Sequence, residues 1–433
     1  MRTAAADAND ASMPLDRRSL LIALAAALAA PASARQALES LVDPDQPGSV
    51  LGAGLIVRDA TGVKITEEAL GQGVYRGRFR PFTVDTPVRV ASISKMIATA
   101  GLMRLVEDGG LSLDDDVSDL LGFRLRHPLF PDAAITARRL ASHTAGLRNG
   151  DTFPVPLGRR LEEALVPDGA LAAGGSWWSP VDQPPGWFVY ADANVAVLAQ
   201  VMERAAGERF DRLMRRLLFE PLGLDVGYNW SGVSQAKRDR ASACCRLVEG
   251  VWTAEVDGEV AGAPAVWINP DPDQPGIMAD DYRSGENGFA FSPQGGLRAS
   301  VSDLDRLGMM FSRGQGPLSV ESVARMSEPV WSFDPSAPNG DTDRGLITRY
   351  GLHAQAAGGG VSDAFFGPGS DDWRGHFGEA YGLVSGLFWN QRDGRQVAWI
   401  INGTPEEAAM TRLPDLAITP WEARLLQRVP RRD

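Results

Sequence analysis

At 433 residues the chain is long enough to bury a substantial core and to form two subdomains. An apolar share of 44% and a charged share of 23% are those of an ordinary globular protein. A formal charge of −12 argues against nucleic acid or an anionic membrane surface as the main partner.

The first segment, "LDRRSLLIALAAALAAPASARQ", reads as a charged region, an apolar run from Leu20 to Ala30 and an Ala32-Ser33-Ala34 cleavage signal. That run is too short to cross a bilayer, so residues 1–34 are expected to be a removable export signal, with a periplasmic or secreted product. Arg17-Arg18 resembles a twin-arginine signal, although Asp16 and the absence of Phe after the pair depart from its strongest form. Met13 is a more conventional start than Met1. No later run is apolar enough to span a membrane, so no stable insertion is expected once the signal is removed.

"SVLGAGLIVRDATGVKITEEALG" predicts two strands turning at Asp59–Gly62, and "YGLVSGLFWNQRDGRQVAWIINGTP" two more turning at Asn390–Gly394. Between them the rhythm is helical: Met96–Glu107 before Gly109-Gly110, Asn194–Ala206 before Gly207, and Asp211–Phe219 before Pro221. "SVSDLDRLGMMF" predicts an amphipathic helix, and Thr419-Pro420-Trp421-Glu422 a capping box opening the last one. Residues 250–287, rich in Gly, Pro and Asp, are expected to be a surface loop system. The pattern is that of an α/β (α+β) fold: an antiparallel sheet formed from both chain ends and flanked by helices. Residues 35–90 and 290–433 would make that subdomain, and residues 91–289 a mostly helical one inserted into it.

Cys244 and Cys245 are neighbours and predict neither a disulfide framework nor a zinc site. His127, His143, His353 and His376 show no metal-ligand spacing, and no metal or organic cofactor is expected.

Only three of the 43 basic residues are lysine, and one of them, Lys95, lies in an apolar helix-like run three residues after Ser92. Residues three apart share a helix face, so hydroxyl and amine would be neighbours. A lysine acts as a base only when neutral, and burial lowers its pKa from about 10.4. Arginine cannot give up its proton. Ser234 and Lys237 repeat the S-x-x-K spacing, but "SQAKRDRAS" is polar throughout and predicts a solvated surface lysine.

"VRVASISKMIATAGLMRLVEDGGLSLDDDVSDLL" followed by "ITARRLASHTAGL" resembles the serine β-lactamase-like hydrolases. These comprise class C β-lactamases, D-Ala-D-Ala carboxypeptidases, D-aminopeptidases and β-lactamase-fold esterases. "PPGWFVYADANVAVLAQVMERAAG", "SPQGGLRASVSDLDRLG" and "GHFGEAYGLVSG" continue the likeness in order, over roughly Val50 to Gly403. The resemblance implies Ser92 as nucleophile, Lys95 as its base partner and Tyr190 as the phenol that shares proton transfer to the leaving group. It places His376 on an edge strand lining the site, in His376-Phe377-Gly378. The oxyanion hole would be the backbone N–H groups of Ser92 and Glu379, the residue after Gly378.

Two departures stand out. The family's Y-x-N element reads Tyr190-Ala191-Asp192 here, and an ionised Asp192 accepts from Lys95 but donates nothing to a substrate amide. Its alternative role is an N-cap of the following helix. His376 replaces the lysine usual in true β-lactamases, and a histidine is largely neutral at pH 7. His143 is expected to serve as a structural hydrogen-bonding group, and Arg298 and Arg374 as structural ion-pair partners or, alternatively, as carboxylate binders. Trp177, Trp178 and Trp187 are candidates for either the pocket wall or the core.

The implied function is that of an exported serine hydrolase working through an acyl-enzyme on a small ester or amide, of esterase or D-amino-acid peptidase type. The alternatives are a class C-like β-lactamase and a non-catalytic penicillin- or peptidoglycan-binding protein. Its partner would be a small ester, amide or peptide substrate.

Overall fold

The computed structural model describes residues 32–46, 48–75, 77–228, 230, 232–254, 265–266, 277–278, 282–357, 366, 370–405 and 418–426. Most of the expected export signal, and much of the expected loop system at residues 250–287, lie outside them. The described start of that loop system, Val251–Ala254, pairs in a hairpin with Cys245–Val248, which precede it.

The chain opens with helix α1 (Ala32–Val42) and strands β1 (Gly52–Arg58), β2 (Lys64–Tyr75), β3 (Arg78–Pro81) and β4 (Val88–Arg89). The β1–β2 turn closes because the Asp59 carboxylate accepts from the backbone N–H groups of Thr61 and Val63. Helices α2 (Ile93–Glu107) and α3 (Asp192–Ala206) follow, then β5 (Gly227–Tyr228), β6 (Leu297–Ala299) and helix α4 (Val301–Arg313). Strands β7 (Trp331–Ser332), β8 (Arg349–Tyr350), β9 (Gln355–Ala356), β10 (Trp373–Ala380), β11 (Leu383–Asn390) and β12 (Gln396–Asn402) lead to helix α5 (Pro420–Leu426). The segment expected to be helical from Asp211 is so from Phe210 to Phe219, its second half in wider π turns.

The main sheet runs β7-β8-β9-β10-β11-β12-β1-β2-β3, so both chain ends build it, and every pairing is antiparallel. β1 sits against β12 with Gly52 opposite Asn402 and Arg58 opposite Gln396. Alternation in β12 explains why both faces are buried. Val397, Trp399 and Ile401 pack with Leu38 and Leu41 of α1 and with Trp421 and Leu425 of α5. Ala398 and Ile400 point the other way, into the larger core of α2, α3 and α4. α4 begins at a capping box in which Ser300 and Asp303 satisfy each other's backbone N–H groups. Thr419 and Glu422 do the same for α5.

A second sheet, β4-β6-β5, ties the strand before α2 to the strand before α4. It delivers the first turn of α2 to the flank of β10. α2 is buried on almost every side, which suits a helix apolar all round.

Candidate active site

Ser92 is the N-cap of α2 and stands where β4 turns into the helix, after Ala91 at φ +52°. Ser94 holds that turn by donating its hydroxyl to Ala91 O and accepting the Leu297 N–H. One helical turn on, the Lys95 side chain is 1% exposed. Its ammonium lies 2.9 Å from Ser92 Oγ, 2.8 Å from Gln294 O and 2.7 Å from Asp192 Oδ1. Three N–H donors thus meet three acceptors. The ammonium is also 5.0 Å from the Tyr190 ring centroid. Ser92, Tyr190 and His376 line a cavity of about 220 Å³, with Phe377, Gly378 and Glu379 along one wall.

The protonation state differs from the one expected. Burial does push the Lys95 amine down, but the Asp192 carboxylate and Tyr190 together outweigh it and hold the group above its ordinary value. Lys95 therefore rests as an ammonium, against the push of burial. Burial holds the Tyr190 phenol above its ordinary value as well, against the pull of Lys95.

Asp192 is the first residue of α3, not its N-cap; Ala191 holds that position and makes no side-chain cap. The Ala193 N–H is taken by Asn149 Oδ1 at 3.1 Å, which leaves the Asp192 carboxylate to Lys95. His143 has the hydrogen-bonding role expected of it: its Nδ1 accepts from Ala191 N and from Asn194 Nδ2.

β10 brings the remaining groups. A β-carbon on Gly378 would sit 2.3 Å from Ser385 Oγ, 2.6 Å from Val90 O and 3.2 Å from Ser92 N, so only glycine lets the strand pass this close to the nucleophile turn. The Phe377 N–H points away from β11, to Gln355 Oε1 at 3.2 Å. Strand alternation aims the Glu379 N–H to that same side. His376 is not on an edge strand in the sheet order, because β9 lies outside β10. β9 is only two residues long, however, and pairs with Arg374 and Gly375 alone, so the flank opens at His376 itself.

The His376 ring is fully buried. Its Nδ1 faces Phe377 O, an acceptor, and so carries the proton; Nε2 then accepts the Tyr350 hydroxyl at 2.9 Å. Burial, and then the Lys95 ammonium, push this imidazole down to about 3. It is neutral throughout the physiological range.

The expectation for Lys237 needs correction. Lys237 is not on the surface: it is buried and ion-paired to Asp303 of the α4 capping box. Ser234 instead caps its own short helix and bonds Asp225, so this S-x-x-K pair forms no hydroxyl–amine site. Arg374 lends its guanidinium to the carbonyls of Ser327, Asp371 and Trp373, and burial lowers its pKa to about 10. Arg298 donates to Gly296 O and lies over the Trp230 ring. Trp177 and Trp178 belong to the core, while Trp187 is half-buried. Cys244 and Cys245 are buried and form no disulfide with each other. Among the described residues no cluster of three or more His, Cys, Asp or Glu side chains is arranged to hold a metal ion, and no helix is long and apolar enough to cross a membrane.

Three contributors were missed. Gln294 acts through its backbone carbonyl, which no side-chain motif reports. Tyr350 comes from a two-residue strand, and Asn149 from a loop. The quoted "SPQGGL" held the Gln294 signal, but only as part of a family likeness.

A serine and lysine at the head of a buried helix, flanked by a phenol and a sheet strand, define the β-lactamase-fold hydrolases. The family model described as Beta-lactamase matches residues 38–418, and the chain belongs to that family. It is 33% identical over 158 residues to "Penicillin-binding protein 4" of Amycolatopsis lactamdurans, covering 36% of this chain and 39% of that one. It is 30% identical over 164 residues to "Esterase EstB" of Burkholderia gladioli, covering 34% and 40%. The chain thus spans about two-fifths of the length of these curated relatives. A class C β-lactamase structure from Rhodobacter sphaeroides superposes with a TM-score of 0.60 at 19% identity, covering 91% of this chain and 97% of that one.

Proposed function

We propose that the protein is an exported serine hydrolase that forms an acyl-enzyme at Ser92 on a small ester or amide. The observation that carries this reading is the buried Lys95 ammonium 2.9 Å from the Oγ of Ser92, which lines the cavity. In acylation Ser92 Oγ bonds the substrate carbonyl carbon and gives its proton to the Lys95–Tyr190 pair. The carbonyl π electrons move onto oxygen, which the N–H groups of Ser92 and Glu379 receive. Collapse expels an alcohol or amine that takes back the proton, and water then releases the acid.

Two features bear on the substrate. His376 is neutral and both its ring nitrogens are engaged. The Asp192 carboxylate is turned to Lys95 and, as an acceptor, offers no hydrogen bond to a substrate amide carbonyl. Leu346, Ile347, Val384 and Ile418 add apolar wall. This favours an esterase, or a peptidase for D-amino acids, over a β-lactamase. A fluorescent phosphonate should label Ser92 in folded protein, and absence of label would sink the enzyme reading. Among p-nitrophenyl esters, D-Ala-D-Ala peptides and nitrocefin, the esters should turn over fastest. Rapid nitrocefin turnover with inert esters would reverse the substrate preference.

A further inference from the structure

Lys95 presents a difficulty to any acylation at Ser92: all three ammonium protons are donated, one of them to the hydroxyl that must lose its own. Gln294 O cannot take a proton, and Tyr190 is already a protonated phenol. The remaining acceptor is the Asp192 carboxylate, 2.7 Å away and 27% exposed at its side chain. The family's asparagine at this place has no capacity to accept a proton.

We infer that Asp192 is the proton store of this site: it takes a proton from Lys95 before attack and thereby turns Lys95 into the base for Ser92. The inference rests on the acyl-enzyme reading above. The N–H bond of Lys95 facing Asp192 breaks as an O–H bond forms on the carboxylate. A turn about Cε–Nζ aims the freed lone pair at Ser92. The Ser92 O–H bond then breaks, its proton goes to Lys95 and Oγ bonds the carbonyl carbon. Net charge on the Lys95–Asp192 pair is zero before and after the first transfer. A bound substrate that excludes water penalises the ionised pair more than the neutral one, so substrate binding itself favours the transfer.

The other titratable groups around the pair do not compete. Tyr190 and Tyr350 are buried phenols held above their ordinary values. His143, His353 and His376 are buried imidazoles held below theirs, partly by Lys95 itself. None supplies a charge that replaces the carboxylate.

Asp192 acts through Lys95, so the test is a pH profile. Rates of Ser92 labelling by the phosphonate, and of ester turnover, are measured from pH 5 to pH 10 (roughly the span over which a lysine and a carboxylate separate) for wild type, Asp192→Asn and Asp192→Glu. In wild type the proton passes within the Lys95–Asp192 pair, so attack does not require Lys95 to lose a proton to solvent first. In Asp192→Asn the base must be Lys95 already deprotonated, so the acidic limb should move up by more than about one pH unit. The loss should exceed about tenfold at pH 6 and shrink to about threefold at pH 9. Asp192→Glu should keep the wild-type limb. A parallel profile for Asp192→Asn, uniformly lowered or unchanged, overturns the proposal. Thermal unfolding of each variant separates such a uniform drop from misfolding, and a variant that unfolds is replaced by Asp192→Ser, with the same expected shift. No label on wild-type Ser92 at any pH overturns the hydrolase reading and this proposal together, whereas label with a parallel profile overturns only this one.

Discussion

His143 Nδ1 accepts the backbone N–H of Ala191 at 3.2 Å, and so ties the loop around residue 143 to the short stretch that carries both Tyr190 and Asp192. The same nitrogen accepts from Asn194 Nδ2 at 3.1 Å, and the ring lies against that of Tyr190, centroids 4.5 Å apart. His143 thus places two groups of the site without facing the reacting atoms itself. His143→Ala would strand two buried donors, each worth about 1–3 kcal/mol. We expect a loss of about 3 kcal/mol in urea unfolding and a fall in kcat of roughly tenfold or more.

Lys95→Arg keeps the positive charge beside Asp192 but removes any chance of a neutral base. Acylation measured by phosphonate labelling should fall by about a thousandfold or more, with the cooperative unfolding transition retained. Wild-type labelling rates in this variant would remove Lys95 from the mechanism.

Lys237 offers the contrast. It neutralises Asp303, whose carboxylate also accepts from the Ser300 backbone and hydroxyl. Lys237→Met leaves a buried carboxylate with neutral donors only, and should cost about 2–3 kcal/mol of stability. Ester turnover at a temperature well below the transition should be unchanged.

Gly378→Ala puts a methyl group into Ser385 Oγ and Val90 O. β10 must then move away from Ser92, and the two N–H groups proposed for the oxyanion separate. We expect kcat to fall by about a hundredfold with KM little changed, read by steady-state ester kinetics.

Glu203 gives stability a pH dependence unconnected with the site. Burial raises its carboxyl from 4.5 to about 7, although Tyr282, Gly285 and Phe210 donate to it. The folded state therefore keeps a proton that the unfolded chain has released. Stability should be highest below about pH 4.5 for this group, fall as pH rises to about 7, and stay lower beyond, by on the order of 3 kcal/mol in all. Glu203→Gln should flatten that slope in urea titrations between pH 5 and pH 8 (about the window of the shift), whatever its effect on absolute stability.

Much of this was legible because it is local. Ser92 and Lys95 meet through helix spacing alone, the β1–β2 and β11–β12 hairpins follow from alternation and turn residues, and Ser300 and Thr419 announce their helices. The polar surroundings of Lys237 were misleading for the opposite reason: its partner, Asp303, is remote in sequence and buries it.

The chain by itself determined that a hydroxyl and an amine would share one turn at the head of an apolar helix, because backbone geometry sets neighbours three residues apart. Only the tertiary structure decided the charge on that amine. Asp192, on another helix, and Gln294 O, 199 residues away, both meet the buried Lys95 side chain. Burial alone would lower its pKa; the Asp192 carboxylate at 2.7 Å, together with Tyr190, more than offsets that. A pKa is the balance of desolvation against neighbouring charge, and those neighbours are assembled by the fold.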